Sequence, residues 1–133
     1  MQLQQLHKKT QNYPVRVKKM PVLFVGHGHP LNAVSDNPYT QALALQGQSL
    51  ETPAAILVIS AHWETIGTAV SINPLPRTIH DFGPFDKRLF QINYPAPGHP
   101  DLARELKELV NHTNIIEDHT IGLDHGAWTV LLE

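Results

Sequence analysis

The chain is 133 residues long, 41% hydrophobic and free of cysteine. That is enough for one domain with a core, and it excludes disulfides and thiolate chemistry, so a metal site must draw on His, Asp or Glu. Five of the 10 Lys and Arg (Lys8, Lys9, Arg16, Lys18 and Lys19) lie in the first twenty positions and all 12 acidic residues lie after them; a net-acidic remainder argues against a nucleic-acid partner, and no apolar run is long enough to span a membrane.

Residues 1–19 read as a basic, loosely ordered N-terminal extension, with one arginine, no serine and no apolar signal core. The expected domain is 20–133. Its first strand, Pro21 to Val25, is an uncharged apolar run of the kind buried on both faces of a parallel sheet. It ends in Gly26-His27-Gly28. After a loop in which Ser35 or Asp36 can cap a helix, a helix is predicted over Pro38 to Gln46, burying Leu43 and Tyr39. A second buried strand, Ile56-Leu57-Val58-Ile59, leads into Ser60-Ala61-His62-Trp63-Glu64. The alternating piece Thr68 to Ile72 predicts another strand, stopped by Asn73 and Pro74.

Residues 74–100 are rich in proline and aromatics, and Phe82, Phe85, Phe90 and Tyr94 argue for a packed loop rather than disorder. DLARELKELV carries Leu102, Leu106, Leu109 and Val110 at helical spacing. Ile115-Ile116 is a short strand, and GLDHGAWTVLLE opens a last helix. The pattern as a whole is α/β, with a mainly parallel sheet flanked by helices.

Nine histidines are an excess for this length. Solvent exposure accounts for His7, His99, His112 and His119. His27, His62, His80 and His125 differ, each lying in a loop beside small or aromatic residues, although a structural role explains any one of them taken alone. His27 and His62 gain weight together, because both are delivered at strand ends, the edge where open α/β sheets hold ligands. Neighbouring strands about 4.8 Å apart would let the two imidazoles share one metal. His29 is a rival ligand or a bystander. Glu64, two residues past His62, is a candidate carboxylate or an ordinary surface residue. Two histidines and a carboxylate suit iron with open positions, and the same donors suit zinc.

The segments GHGHPLNAVSDNPYTQAL, ILVISAHWET, RTIHDFGPF, YPAPGHP and GLDHGAW together resemble the class III extradiol ring-cleavage dioxygenases, in particular the DOPA 4,5-dioxygenase-like branch. The resemblance implies an incomplete, N-terminal portion of that α/β fold, since members run to roughly twice this length and draw their remaining metal ligands from a C-terminal half. It implies His27 and His62 as metal ligands, His125 as the acid/base residue and His80 on the substrate side. Fe(II) is the implied cofactor, with zinc able to occupy the same site. The partners are a catechol-type small molecule and dioxygen, with no nucleic acid and no membrane, and the expected setting is the cytoplasm. The family usually has serine at the position of His29 and commonly tryptophan at that of Ile121.

The implied reaction opens the ring beside the diol to a muconic semialdehyde, with His125 taking a catechol proton and returning it. With two ligands, this chain alone is expected to bind metal weakly, to turn over little, and to self-associate through exposed apolar faces. The alternative on the same fold is a non-catalytic metal-binding or protein-interaction module.

Overall fold

A computed structural model describes residues 19–132. The expected basic extension lies outside them apart from Lys19, as does His7. The elements in chain order are a short 3-10 helix (Pro30–Val34), helix α1 (Pro38–Gln48), strand β1 (Thr68–Ser71), a 3-10 turn (Leu89–Gln91), helix α2 (Pro100–Leu109), strand β2 (Ile115–Asp118) and helix α3 (His125–Leu131).

The best-formed unit is β1-α2-β2. The two strands pair in parallel, Thr68 opposite Ile115 and Ser71 opposite Asp118, so the chain must cross over between them, and α2 lies in that crossover. Pro100 occupies its first turn, and the ring of His99 caps it, Nδ1 accepting from Leu102 N–H at 3.2 Å. Ala103, Leu106 and Val110 recur every three or four residues and so share one face. They pack on Val70, Ile72 and Ile115, which form the apolar core of this unit. Each such aliphatic side chain contributes about 1.5–3 kcal/mol when fully buried. Lys107 on α2 meets Glu117 on β2 at 3.0 Å, which ties the helix to the sheet from its solvent side.

The helix expected over Pro38 to Gln46 forms and runs on to Gln48, but its cap is Asn37 rather than Ser35 or Asp36. Pro38 fixes the first helical position, so the residue before it becomes the cap. The Asn37 side chain accepts from Tyr39 and Thr40 N–H, and Thr40 Oγ1 returns the bond to Asn37 N–H at 3.0 Å. Thr40 is the buried residue of this helix, whereas Tyr39 and Leu43 are half-buried.

The two strands expected at 21–25 and 56–59 do not form among the described residues. Val22 is 97% and Ile59 91% exposed. The apolar pattern registers a preference for burial on both faces, but a strand exists only where a second backbone supplies ladder hydrogen bonds. Neither run pairs with the other or with β1. His27 and His62 therefore come together without the sheet edge on which they were expected.

Candidate metal centre

His27, His62 and His125 each offer a ring nitrogen, and the three atoms lie within 4.8 Å of one another. The ring centroids are 4.8 Å apart for His27 and His62, 5.2 Å for His27 and His125, and 4.1 Å for His62 and His125. Each histidine arrives differently. His27 stands between two glycines, and Gly28 has a φ of 68°, a left-handed turn that an L side chain resists. Tyr39 holds that turn from α1, its hydroxyl donating to the Gly26 carbonyl at 2.7 Å.

His62 follows Ser60, whose hydroxyl donates to Asp124 Oδ1 at 2.7 Å. The same Asp124 oxygen caps α3 by accepting from Ala127 N–H. One carboxylate thus joins the His62 segment to the helix that begins with His125. His125 itself is 5% exposed. A short parallel bridge pairs Thr78 with Leu123, Ile79 N–H donating to Leu123 O at 2.7 Å and Leu123 N–H to Arg77 O at 2.8 Å. Two residues beyond the hydrogen-bonded Ile79 and Leu123, Asp81 meets His125. Its Oδ1 accepts from the backbone N–H and from ring Nδ1, both at 2.9 Å. Asp81 Oδ2 stands 3.5 Å from His62 Nδ1.

The electrostatics favour a neutral His27 ring at the centre of the cluster. Burial, then the neighbouring His62 and His125, lower the pKa of His27, while Asp124 and Asp81 pull weakly the other way. Burial opposes ionisation of Asp81, but the hydrogen bonds from His125 outweigh it and hold the carboxyl below its usual range. A neutral ring has a lone pair to give, which a metal requires.

The donor set fits a divalent ion. His62 Nε2 and His27 Nε2 are 3.1 Å apart. Two nitrogens bonded to one ion at ~2.1 Å stand roughly 3.0–3.4 Å apart at octahedral or tetrahedral angles. Imidazole suits zinc and iron alike.

Other sequence-derived candidates fall elsewhere. His29 is outside the cluster: its Nδ1 accepts from Leu31 N–H at 3.2 Å, starting the 3-10 helix, and its ring lies against Phe85. Glu64 is exposed and also outside it. His80 joins a neighbouring aromatic cluster instead, 5.8 Å from Phe82, 5.7 Å from Phe90 and 5.7 Å from Trp128, with Nε2 donating to Ile92 O at 3.0 Å. Phe82 links the two groups, its ring edge-on to His125 at 5.5 Å. Asp81 was missed by sequence reasoning, although it directly follows His80 in a quoted motif; only the fold shows which histidines it faces.

Residues 30–131 match the family described as the catalytic LigB subunit of aromatic ring-opening dioxygenase. The chain is 47% identical over 116 residues to a protein of Escherichia coli (strain K12) named 4,5-DOPA dioxygenase extradiol, covering 86% of this chain and 43% of the relative. Proteins of the same name from Beta vulgaris and Mirabilis jalapa are 40% and 36% identical, each over 82% of this chain and 43% of the relative. The chain therefore spans less than half the length of these relatives. Its match through most of the described residues nonetheless places it in that family: the chain belongs to the LigB-type aromatic ring-opening dioxygenases.

Proposed function

We propose that this chain carries the His27, His62 and His125 portion of a non-haem metal site for extradiol opening of a catechol-type ring by dioxygen, in a cytoplasmic enzyme. The observation that carries the reading is the convergence of three imidazole nitrogens within 4.8 Å, on residues within or next to the family match. His27 and His62 are the metal ligands, with Fe(II) the working ion and zinc a competitor for the same donors. When bound, the ion would supply the redox and Lewis-acid chemistry that lets a catechol react with dioxygen.

The chain's own residues do the rest. His125 binds Asp81 through Nδ1, which leaves Nε2 to take a proton from a catechol hydroxyl and to return it after ring opening. Phe82 offers an aromatic face between His125 and His80, against which a substrate ring stacks. His80, its Nε2 committed to Ile92 O, lines that side. The relatives named for DOPA make a catechol with an amino-acid side chain the first substrate to try.

The 4.8 Å convergence also favours a second reading, in which His125 is a third nitrogen ligand and the chain binds metal without turnover. One experiment separates the two. The purified chain is titrated with Zn(II) or, anaerobically, Fe(II), and then mixed with DOPA in air while the yellow semialdehyde is followed. Metal binding that vanishes in His62→Ala but survives His125→Ala, with little product from this portion of the site, supports the dioxygenase reading. Binding that is lost in both His62→Ala and His125→Ala, with no product from the unmutated chain, supports the second. Metal binding untouched by His27→Ala and His62→Ala overturns both.

A further inference from the structure

We propose that Asp81 is a positioning residue that holds His62 and His125 as Nδ1–H tautomers, so that both rings turn an Nε2 lone pair towards His27. An ionised carboxylate only accepts hydrogen bonds. A ring nitrogen facing it must therefore carry the hydrogen, and in a neutral imidazole the other nitrogen then holds the lone pair. Asp81 faces two rings through the same kind of atom: Oδ1 lies 2.9 Å from His125 Nδ1 and Oδ2 3.5 Å from His62 Nδ1. The first is a full hydrogen bond, and the second is a longer electrostatic contact, beyond the roughly 2.7–3.2 Å of an ordinary N–H···O bond. The Oδ1 bond from the His125 backbone, also 2.9 Å, fixes the carboxylate against rotation.

The neighbouring acid cannot do this work. Asp124 spends its side chain on Ser60 and on Ala127 N–H, capping α3 instead of meeting a ring. Nor does chance bring Asp81 there, since the Thr78 and Leu123 bridge sets the register three residues before Asp81 and two before His125. An exposed histidine side chain in water prefers the Nε2–H form. Without Asp81 both rings would relax towards that form and place a hydrogen where a ligand or a proton acceptor needs a lone pair. Carboxylates behind metal-binding histidines act in this way in general, and losing one typically weakens metal binding about 10–100-fold. This assignment deepens the metal-site reading and rests on it only for that last consequence.

The test reads tautomers directly, without metal. Long-range nitrogen–proton NMR of the 15N-histidine-labelled, metal-free chain is recorded about two units above the ordinary imidazole pKa of ~6.5. In the unmutated chain, His62 and His125 are expected to show a protonated Nδ1 and a bare Nε2. In Asp81→Asn, the amide oxygen keeps the two bonds from His125, while the NH₂ group now faces His62 Nδ1 and donates to it. His125 should stay Nδ1–H and His62 should switch to Nε2–H, with zinc affinity falling by about 10–100-fold. An Nε2–H form of either ring in the unmutated chain overturns the proposal even if the variant fails to fold. So does a His62 tautomer that Asp81→Asn leaves unchanged. Tautomers as expected in a chain that takes up no metal would instead overturn the metal-site reading and leave Asp81 in place.

Discussion

His62 packs directly on Gly126: a Cβ at position 126 would stand 2.8 Å from His62 Cδ2, 3.0 Å from Ser60 Oγ and 3.1 Å from Asp124 Oδ1. Gly126 lies in the first turn of α3, where replacing glycine by alanine ordinarily gains roughly 0.5–1 kcal/mol of helix stability. Here the added methyl must push the imidazole away. Gly126→Ala is expected to weaken zinc binding about tenfold, as loss of a well-placed ligand's support does, with little change in helix content. Calorimetric titration beside circular dichroism checks this, and an unchanged affinity would place the working position of His62 away from α3.

His29→Ala should leave the metal stoichiometry intact. Its ring caps the Pro30–Val34 helix and lies against Phe85, so the cost is about 0.5–2 kcal/mol of stability, the usual range for a lost cap. Glu64→Gln should be silent in the same titration. Loss of bound metal in either variant would return that residue to the ligand set.

Trp128 is fully buried, and its ring N–H donates to Ile79 O at 2.8 Å. Trp128→Phe removes the donor and leaves that carbonyl without this partner, at about 1–3 kcal/mol. Denaturant unfolding should show a lower midpoint at constant slope. Because Ile79 lies two residues before Asp81, the His125 tautomer is expected to loosen in the same variant.

Asp118 ends β2, and its Oδ1 accepts from Thr120 N–H, Ile121 N–H and the Thr120 hydroxyl. These bonds, led by the two backbone donors, hold its pKa below the ordinary 3.8. A depressed carboxyl stabilises the fold above its unfolded value and loses that contribution as pH falls through the folded value. The acid limb of stability below pH 3.8 should therefore flatten in Asp118→Asn, while stability near neutral pH falls. Thermal melts across that range decide the matter, and an unchanged acid limb would remove Asp118 from it.

The elements legible in the sequence are those that carry their own local instructions. Helix α2 has a proline start and a repeating apolar face, although Leu102, counted in that face, is 40% exposed and Ala103 takes the buried position. β1 and β2 announce themselves by alternation and β-branched residues. The runs at 21–25 and 56–59 misled for the opposite reason: strand formation depends on a partner, and nothing within four or five apolar residues names one. The histidine pair was read from two expected strand ends; those strands do not form among the described residues, yet the two rings stand together. Asp81 and Gly126 were not legible, since their importance lies in contacts with residues 44 and 64 positions away, distances at which spacing carries no information.

Among the described residues, the arms that deliver His27 and His62 are tethered near their ends, by Tyr39 on Gly26 and by Asp124 on Ser60. In hydrogen–deuterium exchange this reverses the ranking usual for an α/β protein. Amides at 22–25 and 56–59, lacking ladder partners among the described residues, should exchange at nearly unstructured rates, and those paired between β1 and β2 slowly. The fastest-exchanging stretches among the described residues would thus lead straight into their chemically most organised cluster.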